Sequence, residues 1–135
     1  MMNTNTQHIR IALLMMRLSL VALLVIWGVD KILRPDHTAA VFGKFYFIEN
    51  LDLTVSYVLG VLQLALCAFI AVGFMRTYTY ALGAIIQALG TLSTIPQMLT
   101  PFENVNILFW AGIPAMFCFV ALFMMREHDT MFTLR

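Results

Sequence analysis

The sequence predicts an all-α, polytopic membrane protein: four transmembrane helices in an antiparallel bundle, with a short amphipathic segment between the first and second. Three observations lead there. Of the 135 residues, 61% are hydrophobic and 11% charged, whereas an ordinary soluble domain is about 45–50% apolar and about 25% charged. A soluble fold with that balance would leave large apolar patches in water. Four stretches, residues 11–29, 53–75, 80–99 and 105–125, each supply the roughly 20 apolar residues that a hydrocarbon core about 30 Å thick requires. The links FMRTYT and TPFENVN between the later stretches are short, which makes consecutive helices antiparallel neighbours.

The first helix follows the polar run MMNTNTQHIR, and no small-residue cleavage site precedes the Asp30-Lys31 pair, so it is expected to stay as an anchor. Pro35 stops or kinks its end. The connection VDKILRPDHTAAVFGKFYFIENLD, about 24 residues, exceeds the usual loop length. Within it, residues 36–50 place Ala40, Val41, Phe45, Phe47 and Ile48 for a short amphipathic helix lying in the interface. The third helix carries Gly83, Ala84, Ala88, Gly90, Thr91, Ser93 and Thr94, small and hydroxylated surfaces that let backbones approach. That composition predicts a central position. Pro96 and Pro114 each deprive a carbonyl four residues earlier, at Leu92 and Trp110, of its helical donor. With Ser93, Thr94, Gln97 and Tyr57 at similar depth, a small polar pocket is expected in the outer half. Residues 1–135 read as one domain, without repeats.

A formal net charge of +1 provides no basic face for phosphates, which excludes nucleic acid as a partner. Arg10, Arg17, Arg76, Arg126 and Arg135 fall on one side of the predicted topology, and Lys31, Arg34 and Lys44 on the other. The excess of Lys and Arg places both termini in the cytoplasm. Trp27 and Trp110 then lie toward the outer interface, where amphipathic rings anchor helices.

Arg17 is the charge that demands an explanation, because it sits inside the first apolar run. One reading is a side chain that snorkels to lipid phosphates. The other is a guanidinium facing the bundle, holding an anionic or carbonyl-bearing ligand or a neighbouring subunit. Counting about 1.5 Å of rise per residue from each helix start puts Arg17 and Gln87 in one layer, about 12–13 Å deep. No Asp or Glu falls within the apolar spans, so Arg17 is expected to lack an acidic partner in its own chain and to rely on Gln87, Tyr80 and backbone carbonyls. Asp30 and Arg34, spaced i,i+4 around Lys31 at the outer end of the same helix, either fix that end or form a docking surface with Asp36, Glu49 and Glu103. Cys67 and Cys118 lie within apolar spans and read as small hydrophobes. His8, His37 and His128 fall outside the spans, which leaves no pair of axial haem ligands in the bundle. His37, Asp36 and Glu49 have no recognisable metal spacing, and no metal site is predicted.

Arg17, then Gly28, then Lys31 with Pro35 just beyond, followed by a loop of this length and three more spans, resembles the DoxX family of small bacterial membrane proteins. The resemblance implies one four-helix bundle in the bacterial cytoplasmic membrane, with Arg17, Gly28 and Lys31 at the family's pattern positions. It further implies a membrane subunit or accessory of a quinone-linked oxidoreductase, the family being named for the membrane subunit of a thiosulfate:quinone oxidoreductase. Quinone is then the cofactor to expect, and since no intrinsic redox ligand set is present in the sequence, a partner would carry the redox group. The alternative is a non-enzymatic anchor, assembly or scaffold protein in a larger membrane complex, or in a homo-oligomer. A solute or proton carrier is disfavoured by the lack of inverted repeats and membrane carboxylates. The sequence leaves open whether the chain is an enzyme. The contact residues expected are Arg17, Gln87, Lys31, Asp30 and Arg34.

Overall fold

The computed structural model describes residues 3–134, and every regular element among them is helical. Arg135, counted above with the cytoplasmic positives, lies outside the described residues. The elements are α1 (Thr4–Leu33), α2 (Pro35–Phe45), α3 (Leu53–Ala71), α4 (Arg76–Ser93), α5 (Ile95–Met98), a 3-10 turn at Asn106–Ala111, and α6 (Gly112–Met124). Three helical stretches are long and apolar enough to cross a membrane: Thr4–Leu33, Leu53–Ala71 and Asn106–Met124.

Local chemistry sets the boundaries. The Asn3 side chain accepts from the Asn5 N–H at 3.2 Å and caps α1; Asp52 does the same for α3 through the Thr54 N–H at 2.9 Å. At Arg34 the chain leaves α1, and Pro35 opens α2 in the first turn, where a missing N–H costs nothing. A helix is therefore present where the amphipathic segment is expected, and it ends less than one turn before the apolar run, which continues through the exposed Phe47 and Ile48. α3 stops because Gly73 takes φ +65°: its N–H reaches the Ile70 carbonyl at 3.0 Å and the Phe74 N–H reaches Phe69 at 2.9 Å, the paired closure that a left-handed residue allows.

The third expected span, residues 80–99, is not one helix. α4 begins earlier, at Arg76, and ends at Ser93, with the chain turning at Thr94 before α5. Pro96 has no N–H to give Leu92 and so cannot continue the helix. α4 carries Arg76, Thr77, Thr79, Gln87, Thr91 and Ser93 along its length and is not among the three apolar stretches. The last span likewise starts as a 3-10 turn, and Pro114 falls in the first turn of α6.

The helices associate as two close pairs, α1 on α3 and α4 on α6, with lighter contacts of α1 with α6 and of α3 with α4. α4 is thus not the central element expected from its small residues. α1 and α3 cross closely at Gly28 and Gly60: a Cβ on Gly60 would meet Ile32 at 2.7 Å and the Gly28 carbonyl at 3.0 Å. The small face of α4 instead receives α6, with Phe119 over Gly83 and Thr91 bonded to the Gly112 carbonyl at 3.2 Å. The core between the pairs holds Leu13, Leu20, Leu24, Leu66, Cys67, Ile70, Tyr80, Phe119 and Leu122. Gln63 crosses the first pair and donates to the Leu24 carbonyl at 2.7 Å. Both cysteines are free thiols.

Candidate functional site

Arg17 lies on the buried face of α1 with Leu13, Leu20 and Leu24, and its exposure is 0%. A guanidinium in such a place needs a counter-charge and hydrogen-bond acceptors. Both come from the segment that follows α6. The chain turns after Met124 and runs back across the bundle end, where Asp129, also 0% exposed, accepts from Arg17 Nη1 at 2.8 Å. Arg17 Nη2 donates to the Met131 carbonyl at 2.6 Å. The second carboxylate oxygen accepts from the Tyr80 hydroxyl at 2.6 Å, and Arg76 Nη1 donates to the backbone carbonyl of Asp129.

The segment is seated by further contacts. The Leu134 N–H donates to the Val72 carbonyl at 2.7 Å, and the space beside Gly73 is taken by Thr133, whose Cγ2 would lie 2.5 Å from an added Cβ. Gly73 therefore serves twice, once for its positive φ and once for this close approach. Arg126 reaches Thr77 at 3.1 Å and lies over the Phe123 ring, tying the end of α6 to the start of α4.

The expectation that Arg17 lacks an acidic partner in its own chain is therefore overturned. It rested on acids within the spans, whereas Asp129 is brought in by a folded-back segment. Gln87 is not the partner either: it is half-buried and donates to Thr91 Oγ1 at 3.1 Å. The depth count assumed that helices 1 and 3 begin in one plane. α1 begins at Thr4 and α4 at Arg76, so Arg17 stands more than three turns from the start of its helix while Tyr80 stands about one turn from the start of its own, and equal counts from the two starts do not give equal depth. The residue of α4 that shares the Arg17 layer is Tyr80, which the sequence reading did include among the companions. Asp129 was missed because nothing periodic marks it. The available signal was that Glu127 and Asp129 are the only acids on the Arg17 side of the predicted topology.

A second polar cluster joins α1 to α2. Asp30 accepts from or shares a proton with His37 Nδ1 at 2.6 Å and meets Arg34 at 3.5 Å. The His37 ring stacks on Trp27, with centroids 6.4 Å apart. Lys31 Nζ donates to the Trp27 carbonyl at 3.4 Å, and the Lys31 carbonyl accepts from Ser56 at 2.7 Å. The acids Asp36, Glu49 and Glu103 are exposed. The sequence reading placed Asp30, Lys31 and Arg34 together and set His37 apart as a loop residue. The expected outer pocket is differently built: Ser93 and Thr94 return their hydroxyls to the Gly90 and Thr91 carbonyls at 2.7 Å. Among the described residues no three His, Cys, Asp or Glu side chains are grouped as metal ligands.

Comparison with family models, with curated proteins and with solved structures returns no match to this chain.

Proposed function

We propose that this chain is a four-pass antiparallel bundle of the bacterial cytoplasmic membrane, with both termini cytoplasmic, that acts as a non-enzymatic anchor or assembly subunit of a larger membrane complex. The observation that carries this reading is the internal pairing of Arg17. An intramembrane cation that serves a catalytic ligand keeps donors aimed into a cavity, whereas Arg17 spends two on Asp129 and Met131 of its own chain. What the helices offer outward is apolar: Ile26, Val61, Leu62, Ile85, Leu89 and Val120 are all exposed. Such surfaces suit lipid and neighbouring helices. Support for α4 as the fourth crossing comes from its pairing along α6, from Thr77–Arg126 at one end to Thr91–Gly112 at the other.

The resemblance to the DoxX family favours a second reading, a membrane subunit or accessory of a quinone-linked oxidoreductase. The outer cluster supports it: His37 is held by Asp30, stacked on Trp27 and one-third exposed. An imidazole so oriented hydrogen-bonds a quinone carbonyl or takes a proton from a quinol hydroxyl. Purification in mild detergent separates the two. A cofactor-free protein partner supports the anchor, retained quinone or a redox subunit supports the oxidoreductase, and a solitary cofactor-free chain overturns both. Reporter fusions after Thr100 should read external and fusions at the C-terminus cytoplasmic; the reverse overturns the orientation.

A further inference from the structure

We infer that Arg17, Arg76 and Tyr80 form an oxyanion-binding site for a carboxylate or phosphate ester, and that Asp129 fills it as a tethered ligand which an external anion displaces. The donors and the occupant differ in how they are held. Arg17 stands mid-helix in α1, and Arg76 and Tyr80 stand one turn apart in the first part of α4, so the three are fixed by helix packing. Asp129 lies in a turn-rich segment without regular structure. Several of that segment's backbone bonds are internal, His128 to Met125 at 2.9 Å and Asp129 to Arg126 at 3.3 Å, while Leu134 reaches Val72.

The donor set also exceeds what Asp129 uses. Arg17 Nε is buried and has no hydrogen-bond partner, and Arg76 meets the Asp129 backbone carbonyl rather than its carboxylate. Two guanidinium groups thus meet Asp129, only one of them through its carboxylate, while Glu127, which lines both neighbouring grooves, is largely exposed and lies 3.8 Å from Arg126. Open grooves flank the segment on both sides. One is lined by Gly73, Arg76, Tyr78, Glu127 and Thr130, so an anion reaches Arg76 at the edge of the site without unfolding a helix; the other is lined by Thr6, Arg10, Glu127 and His128.

Exchange of one carboxylate for another is the inexpensive route. Baring Arg17 would leave a buried unpaired charge, but an incoming oxyanion keeps it paired while the released segment regains about 1–2 kcal/mol of backbone entropy per residue. A short tether acts at an effective concentration in the millimolar range, so external anions compete at millimolar concentration and bind more tightly once the Asp129 carboxylate is removed.

The test uses the full chain in neutral detergent. Asp129→Ala should be stabilised saturably by acetate, with a midpoint at least tenfold lower than in the wild type, and chloride at equal ionic strength should not reproduce it. A parallel arm replaces acetate with phosphatidylglycerol in mixed micelles, against phosphatidylcholine. Stabilisation in the acetate arm marks a soluble carboxylate, and stabilisation confined to the lipid arm marks a headgroup phosphate. Adding Tyr80→Phe should raise the midpoint about tenfold, the loss of one charge-assisted hydrogen bond. Equal shifts with chloride, an effect indifferent to Tyr80→Phe, or no saturable shift in either arm would overturn the proposal. If Asp129→Ala does not fold, wild-type hydrogen exchange decides: acetate or phosphatidylglycerol should speed exchange of the Asp129 and Leu134 amides saturably, and rates unmoved by both overturn it.

Discussion

Replacing Asp129 by Asn keeps the shape of the side chain and removes its charge, leaving Arg17 buried without a counter-ion. Both groups are fully buried, at 2.8 Å, so the solvent screening that weakens surface pairs does not apply. Breaking a buried pair by removing one partner costs about 3–5 kcal/mol. For a chain of this length, each kcal/mol moves the unfolding midpoint by about 3–5 °C, between the values for smaller and larger domains. Asp129→Asn should therefore melt about 10–20 °C below the wild type. Cys67 is 2% exposed and supplies the assay: in a Cys118→Ala background, a thiol-reactive fluorophore reports the unfolding that uncovers it. The double variant Arg17→Met/Asp129→Leu removes both charges and should recover most of the loss, since apolar replacement of a whole buried pair is often neutral or stabilising. An Asp129→Asn midpoint within about 2 °C of wild type, less than 1 kcal/mol, would refute the pairing as a main support of the fold. A double variant as unstable as the sum of the singles would refute it too.

Tyr80→Phe deletes the second donor to Asp129 and should cost about 1.5–3 kcal/mol, the range for a hydrogen bond to a charged group, read by the same thiol assay. Gly60→Ala should cost about 1–3 kcal/mol by overpacking, because its Cβ would meet Ile32 and the Gly28 carbonyl. Gly43→Ala, where only the Ile48 carbonyl lies within reach at 3.9 Å, should cost nothing and stabilise by about 0.4–1 kcal/mol, since Ala favours the helix over Gly. Equal losses at the two glycines would remove the α1–α3 crossing as the cause.

How much was legible in the sequence depended on whether a feature follows from composition and spacing or from tertiary register. The apolar runs that became α1, α3 and the stretch ending in α6 were legible from length alone, as was the helix-breaking effect of Pro35. The Asp30–Arg34 pair was legible because i,i+4 spacing fixes neighbours on any helix. The Arg17–Asp129 pair was not, because its partners are 112 residues apart and Asp129 belongs to a segment with no period to read. Gln87 was chosen over Tyr80 as the principal companion because depth was counted from helix starts that do not share a plane. The small residues of α4 were correctly seen as a packing face, but composition does not say which helix a face will meet. His37 was overlooked for a related reason. Distance from an apolar span was treated as distance from the site, while α2 folds the imidazole back onto Asp30.

The reach between Arg17 and Asp129 also sets an order of events during synthesis. Chains emerge N-terminus first, at about 5–20 residues per second, so α1 is in place while its counter-ion has yet to be translated. Through that interval the guanidinium must find lipid phosphate or water, which a long flexible side chain in the membrane can do. In a bilayer, Arg17 would thus pass from snorkelling at the surface to pairing in the interior, where Asp129 of its own chain stands in the place expected for a ligand or a neighbouring subunit. The pairing step waits for α3, α4 and α6 to assemble the site around Tyr80 and for the following segment to fold across it. A chain interrupted between Met124 and Asp129 would carry every described helix and still present an unneutralised charge within its core.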